Sequence, residues 1–399
     1  MQRLICGEFR RSSMVLCCMT QHNLAYGTVD RVVRGIFSEE LQHMQVLCLS
    51  LVTFGAVRAD RLGVAAVGRA MATGRGKIPK HAIKQVDRFL SNKRLLPEKA
   101  WPALLRTLVG KRNQILVTMD WTDFDAADQT TLAISLVTRS RRAQPLVWKT
   151  VSKSTLAKHQ SGYERELLET LRRVLPPDVR VIVLADRGFG STSLYEHIGG
   201  IPGFDFVVRF RACIHVQAAN VRAKASTLVP SNGRIKVFHY ALLTADRAGP
   251  YTVVLYKARG MKDSWCLATS LPTTDGRAIV DAYAHRFECE EGFRDAKDRR
   301  FGMGLKQATL SKPDRRDHMI LLFALAYLIL TLVGCASEHV GADRALRANT
   351  VRTRTHSLFC QGRQWMNAEA PTRLLSALLD RVARLVSALL RHGVAHAFA

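Results

Sequence analysis

The stretch Asp281-Ala-Tyr-Ala-His-Arg-Phe-Glu-Cys-Glu-Glu-Gly-Phe-Arg-Asp-Ala-Lys297 decides how this chain is read. It carries Tyr283, Arg286, Glu290 and Lys297 at steps of three, four and seven residues. At about 100° of rotation per residue, the four fall within roughly 60° of one another around a helix. One stripe then holds an aromatic hydroxyl, two cations and a carboxylate. Glu291 is turned about 100° away, so of the two adjacent glutamates Glu290 lies on the stripe. A solvated helix with i,i+4 ion pairs would show the same charges, and the choice rests on what lies upstream.

Upstream, Ile115-Leu-Val-Thr-Met119 is a short apolar run that reads as a buried strand and delivers Asp120 at its end. Strands over 131–138 and 145–151 follow, joined by the basic turn Arg139-Ser-Arg-Arg142, so three strands in succession predict an antiparallel meander. A helix over 163–175 is closed by Pro176-Pro177. Val179–Ala185 is the plainest strand in the chain and ends in Asp186-Arg-Gly-Phe-Gly190, where two glycines permit a sharp turn into a helix over 193–198. Phe206–Phe210 is a fifth strand. Strands at 214–218, 234–243, 251–256 and 265–270 come next, with turn signals at Pro230–Gly233 and Ala248–Pro250. The motif helix is expected over 276–298 and an apolar helix over 314–333.

The spacing Tyr-x2-Arg-x3-Glu-x6-Lys, preceded by aspartates after the first and fourth strands, resembles the IS4-type (Tn5-like) DDE transposases of bacterial insertion sequences. That resemblance covers about residues 60–335. It implies an α/β fold with a ribonuclease H-like catalytic core, interrupted by an all-β insertion and preceded by a helical N-terminal DNA-binding domain. The expected organisation is an arm over 1–50, a helical domain over 51–110, core over 111–210, β-rich insertion over 211–272, core again over 273–338, and a basic helical region over 339–399.

Asp120, Asp186 and Glu290 are the candidate catalytic acids. Carboxylates held together repel unless a cation neutralises them, and hard oxygen ligands suit Mg2+ or Mn2+, here a pair of ions. Asp123, Asp125 and Asp128 compete with Asp120 in the same turn. Asp120 directly follows the strand, and its Asp-x-Thr sequence resembles the family pattern. The resemblance gives Tyr283, Arg286 and Lys297 the task of gripping DNA phosphates, for which a guanidinium fork, an ammonium and a hydroxyl are suited. Arg187 and Arg294 are further candidates. Trp265, just ahead of the motif helix, matches a family tryptophan that stacks on a flipped base during hairpin formation; a core role is the other reading.

Bulk composition agrees with a polyanionic partner. The chain has 399 residues, 59 Lys and Arg against 33 Asp and Glu, and a formal net charge of +26. That excess suits nucleic acid or an anionic membrane surface. Between Met71 and Leu95, seven basic residues stand against the single acid Asp87, on two predicted helices with Pro79 opening the second. From Val340 onward nine arginines face three acids. The nine cysteines form no Cys-x-x-Cys pair and no zinc spacing, so reduced thiols in the cytoplasm are expected. The N-terminus makes a poor signal peptide, and the apolar run Met319–Ala336 reads as a buried helix rather than a membrane span. Duplex DNA is the expected partner, as terminal inverted repeats and as target, with a homodimer in the synaptic complex and no membrane. A cleaving nuclease of the same fold and an inactive DNA-binding derivative are the rival readings.

Overall fold

A computed structural model of the chain describes residues 26–244, 246–273, 275–300, 302–368 and 372–398. The chain divides into two compact units, Met1–Gly110 with Arg294–Ala399, and Lys111–Phe293. The boundary falls inside the helix that carries Glu290. Of the expected N-terminal arm, residues 1–25 lie outside the described residues.

The first unit is helical. Helix α1 covers 26–37 and α2 spans His43–Arg58. Residues 38–42 separate the two helices. A capping box restarts the chain there, with the Gln45 side chain accepting from the Gln42 N–H at 3.0 Å. Helices α3 (Val64–Thr73) and α4 (Pro79–Leu90) follow. Gly68 lets them meet: a Cβ there would stand 2.6 Å from the Ile83 Cα. Helix α4 buries Ala82, Val86, Phe89 and Leu90, while Lys80, Lys84 and Arg88 form an exposed basic stripe at helical spacing. Helix α5 (Pro97–Val109) went unpredicted because Pro102 lies inside it.

In the second unit a mixed α/β arrangement is built on a ten-stranded sheet, ordered β3-β2-β1-β4-β5-β10-β9-β8-β6-β7. The strands are β1 Gln114–Phe124, β2 Gln129–Val137, β3 Ala143–Ser152, β4 Arg180–Ala185 and β5 Phe204–Arg209. They continue as β6 His215–Ala218, β7 Val221–Lys224, β8 Lys236–Leu243, β9 Ala248–Tyr256 and β10 Trp265–Thr269. Strands β1 to β3 form the antiparallel meander, and β4 and β5 run parallel to β1 as apolar strands buried on both faces. The strands of 211–272 extend this same sheet, since β10 pairs with β5. Residues 248–250, expected as a turn, open strand β9 instead.

Helices α6 (Gln160–Val174) and α7 (Thr192–Gly200) cover one face, where Tyr195 stacks on Phe206 at 4.8 Å. The short α8 (Ala225–Leu228) follows β7. Helix α9 (Gly276–Ala284) covers the other face, packing Ile279, Val280 and Tyr283 on Ile182, Leu184, Val207, Val254 and Leu267.

The motif helix is not continuous. It breaks after α9, turns through His285 and Arg286, and restarts as α10 (Phe287–Lys297). The Tyr283-to-Lys297 stripe therefore belongs to two helices, and only Glu290, Arg294 and Lys297 share one. No Pro or Gly marks the break. Across the turn His285 Nδ1 meets Glu288 Oε1 at 2.8 Å.

Back in the first unit come α11 (Pro313–His339), α12 (Leu358–Asn367), α13 (Thr372–His392) and α14 (Val394–Ala397). Helix α11 is long and apolar enough to cross a membrane, yet its apolar window is wholly buried as the core of this unit. Gly334 and Gly362 let α12 lie against it, since a Cβ at either would collide with backbone of the other helix.

Candidate active site

Strand register brings the two aspartates side by side. β1 and β4 pair in parallel up to Met119 beside Ala185, so Asp120 and Asp186 occupy the next position on neighbouring strands. β1 does not end there; it continues beside β2 to Phe124, which corrects the shorter strand read from the sequence. β4 does end, and Asp186 caps the following turn by accepting the Gly188 N–H at 2.7 Å. Side chains alternate along strands, and Leu116 and Leu184 face the α9 cluster, so Asp120 and Asp186 project to that side.

The rival acids are engaged elsewhere. Lys153 binds Asp123 at 2.8 Å and Asp125 at 2.6 Å, and Ser154 Oγ donates to Asp128 at 2.5 Å.

Helix α10 is fastened over the aspartates by consecutive contacts with the β2–β3 turn. Glu288 is buried close to Thr138, and Glu291 pairs with Arg142 at 3.1 Å. Gly292 comes so close that a Cβ would lie 2.9 Å from the Ala143 carbonyl oxygen. This docking brings Cys289, 2% exposed, against Asp120, its Sγ donating to Oδ2 at 3.6 Å.

Charge in this pocket is out of balance. Burial pushes the Asp120 carboxyl up to about 6, Arg286 opposes the rise, and the neighbouring Asp186 adds to it. Arg286 is 7% exposed, and its Nε has no hydrogen-bond partner among the described residues. Its guanidinium lies over the Phe287 ring, 4.7 Å from the centroid, and donates to Glu290. Two half-buried aspartates on adjacent strands fit a hard divalent cation. Glu290 does not complete the set, because its side chain is half-exposed and held by Arg286. No group of three or more His, Cys, Asp or Glu side chains is placed to hold a metal ion among the described residues.

Beside the acids sits an aromatic cluster. Tyr283 is 1% exposed, its hydroxyl lies near Arg286, and burial pushes its pKa up to about 12. Trp265 meets Tyr283 edge-on at 4.9 Å and stacks with Phe287 at 5.9 Å. Trp265 is half-buried, while Phe287 is 41% exposed. Cys289 and Phe287 were not singled out in the sequence, although both flank Glu290 within one helical turn. Arg187 is exposed and reaches Asp263 at 3.9 Å. Arg294 and Lys297 lie four and seven residues along α10 from Glu290, Arg294 exposed and Lys297 half-buried.

Residues 116–329, more than half of the chain, match the family described as the transposase DDE domain. The chain belongs to that family. The matched region of this DDE transposase opens within β1, spans both aspartates and the α9–α10 break, and ends within α11. No curated protein matches the chain.

Proposed function

We propose that this DDE transposase is of the IS4 type, cuts both DNA ends of its insertion sequence, and joins the freed 3′-hydroxyls to target DNA. The observation carrying this reading is the placement of Asp120 and Asp186 at one register step on adjacent parallel strands, with α10 laid over Asp120. The first five strands, ordered β3-β2-β1-β4-β5, support a ribonuclease H-like core, with β6 to β10 as its insertion.

Asp120, Asp186 and Glu290 would hold Mg2+ or Mn2+, which when bound would neutralise the acids and stabilise charge on the attacking and leaving oxygens at phosphorus. Arg286 offers a desolvated guanidinium to a DNA phosphate, and Tyr283 fixes its direction. A phosphate at Arg286 would free Glu290 to turn toward the aspartates, so that DNA binding completes the acidic set. Trp265 and the exposed Phe287 ring provide a stacking surface for a base, consistent with a hairpin route for second-strand cleavage. Arg187, Arg294 and Lys297 would carry phosphate contacts around this centre. The basic stripe of α4 would dock the terminal inverted repeat. Joining two ends calls for two protomers, and the reading places the protein in the cytoplasm with the bacterial nucleoid.

The test is incubation of the purified chain with a duplex carrying the element's end and Mg2+. Cleavage followed by joining, abolished in Asp186→Asn, supports the transposase. Cleavage without joining points to a nuclease, and salt-sensitive binding without chemistry points to an inactive DNA-binding derivative.

A further inference from the structure

The sheet face that carries the candidate site continues to its far edge as an exposed basic surface. Val237 pairs with Val254 and Leu267 with Val254, and all three pack toward α9; Trp265 and Tyr256 lie on the same side. Tyr251, of opposite parity, faces Tyr195 of α7. Ala241 pairs with Tyr251, so Leu242 turns back to the α9 side, and the ladder passes that side on to Gln217 and then Arg222. His215 and its partner Lys224 stand two residues further along on the same face.

Arg222, Lys224 and His215 are exposed, and neither Arg222 nor Lys224 has an acidic partner among the described residues. Between Arg211 and Ser264, nine Lys or Arg stand against two acids, Asp246 and Asp263. Asp263 is occupied with Arg187 and Arg209. Two strands in from the edge, β8 carries a bulge, with His239 and Tyr240 opposite Thr252. Tyr240 holds a left-handed φ of 55° and is 83% exposed.

We propose that this edge, centred on Arg222 and Lys224, binds the phosphate backbone of the duplex beyond the reacting phosphate. The occupant is argued from charge complementarity and from continuity with the site-bearing face. Six inter-strand steps separate β4 from β7, which at about 4.8 Å each is about 29 Å, or about eight base pairs of B-form DNA. The inference rests on the transposase reading and adds a footprint to it.

The experiment measures binding by the full chain across a salt series, using the end-bearing duplex and a version cut back to within about four base pairs of the scissile phosphate on each side in turn. On the long duplex, Arg222→Ala with Lys224→Ala lowers affinity by about tenfold or more and reduces the slope of log K against log salt by about two. Charge reversal at both positions lowers it further. On the duplex shortened on the relevant side, wild type and double variant bind alike. These exposed substitutions leave the melting temperature unchanged. A double variant that binds the long duplex with wild-type affinity and slope, while wild type still cuts ends, overturns this surface and leaves the transposase reading standing. Failure of wild type to bind DNA at all overturns both.

Discussion

The thiol of Cys289 donates to Asp120 Oδ2 at 3.6 Å, joining the first half of the second compact unit to the helix that carries Glu290. Burial raises the thiol's pKa, so it is present as a neutral donor. Cys289→Ser keeps a donor and Cys289→Ala removes it. A hydrogen bond of this kind is worth about 0.5–1.5 kcal/mol. Cys289→Ala should therefore raise the Mn2+ concentration needed for half-binding, read by electron paramagnetic resonance, by about twofold to tenfold. Cys289→Ser should restore it.

Asp120 should make stability fall as pH rises. Its folded pKa of about 6 lies above the ordinary 3.8, so the folded state holds the proton more tightly. Its contribution is complete below about pH 3.8 and lost through about pH 6. In divalent-free buffer Asp120→Asn, which never acquires the charge, should melt higher than wild type at about pH 7.5 and no higher at about pH 4. Added Mg2+ should raise the wild-type melting temperature at the higher pH and leave that of Asp120→Asn unmoved.

Gly292 sets how closely α10 approaches β3. A methyl group there would meet a backbone oxygen at 2.9 Å, which cannot rotate aside. Although alanine is the better helix former, Gly292→Ala should cost about 1–3 kcal/mol in thermal unfolding. It should also cut DNA cleavage at least about tenfold, because Cys289 and Glu290 move with the helix.

Tyr283 supports the fold with its ring, and in the proposed function its nearby hydroxyl orients Arg286. Tyr283→Ala empties a site in the α9 cluster and should destabilise by about 3–5 kcal/mol. Tyr283→Phe should cost only about 1 kcal/mol in stability while weakening end-DNA binding. Equal losses of binding and stability in Tyr283→Phe would count against the orienting role.

Much of this site was legible because single segments specify it. The continuous apolar run of β4 followed by Asp186-Arg-Gly shows a buried strand and its turn without tertiary information. The neighbourhood of Asp120 and Asp186 was less visible, since strand register is a long-range property. Periodicity carries the motif helix straight through His285 and Arg286, where no Pro or Gly marks the break. Strand β7, Val-Arg-Ala-Lys, escaped notice because an edge strand with charges at alternate positions has no apolar run. Cys289 carries no motif of its own; its role comes from a neighbour 169 positions away.

The central claim is that Asp120, Asp186 and Glu290 act together on DNA. It is tested most directly by Mg2+-dependent end cleavage and strand joining, comparing wild type, Glu290→Gln and the paired control Asp123→Asn with Asp125→Asn. Glu290→Gln should lose both steps by at least about a thousandfold while still binding the end, and the control should retain both. Cleavage and joining at wild-type rates in Glu290→Gln would contradict it.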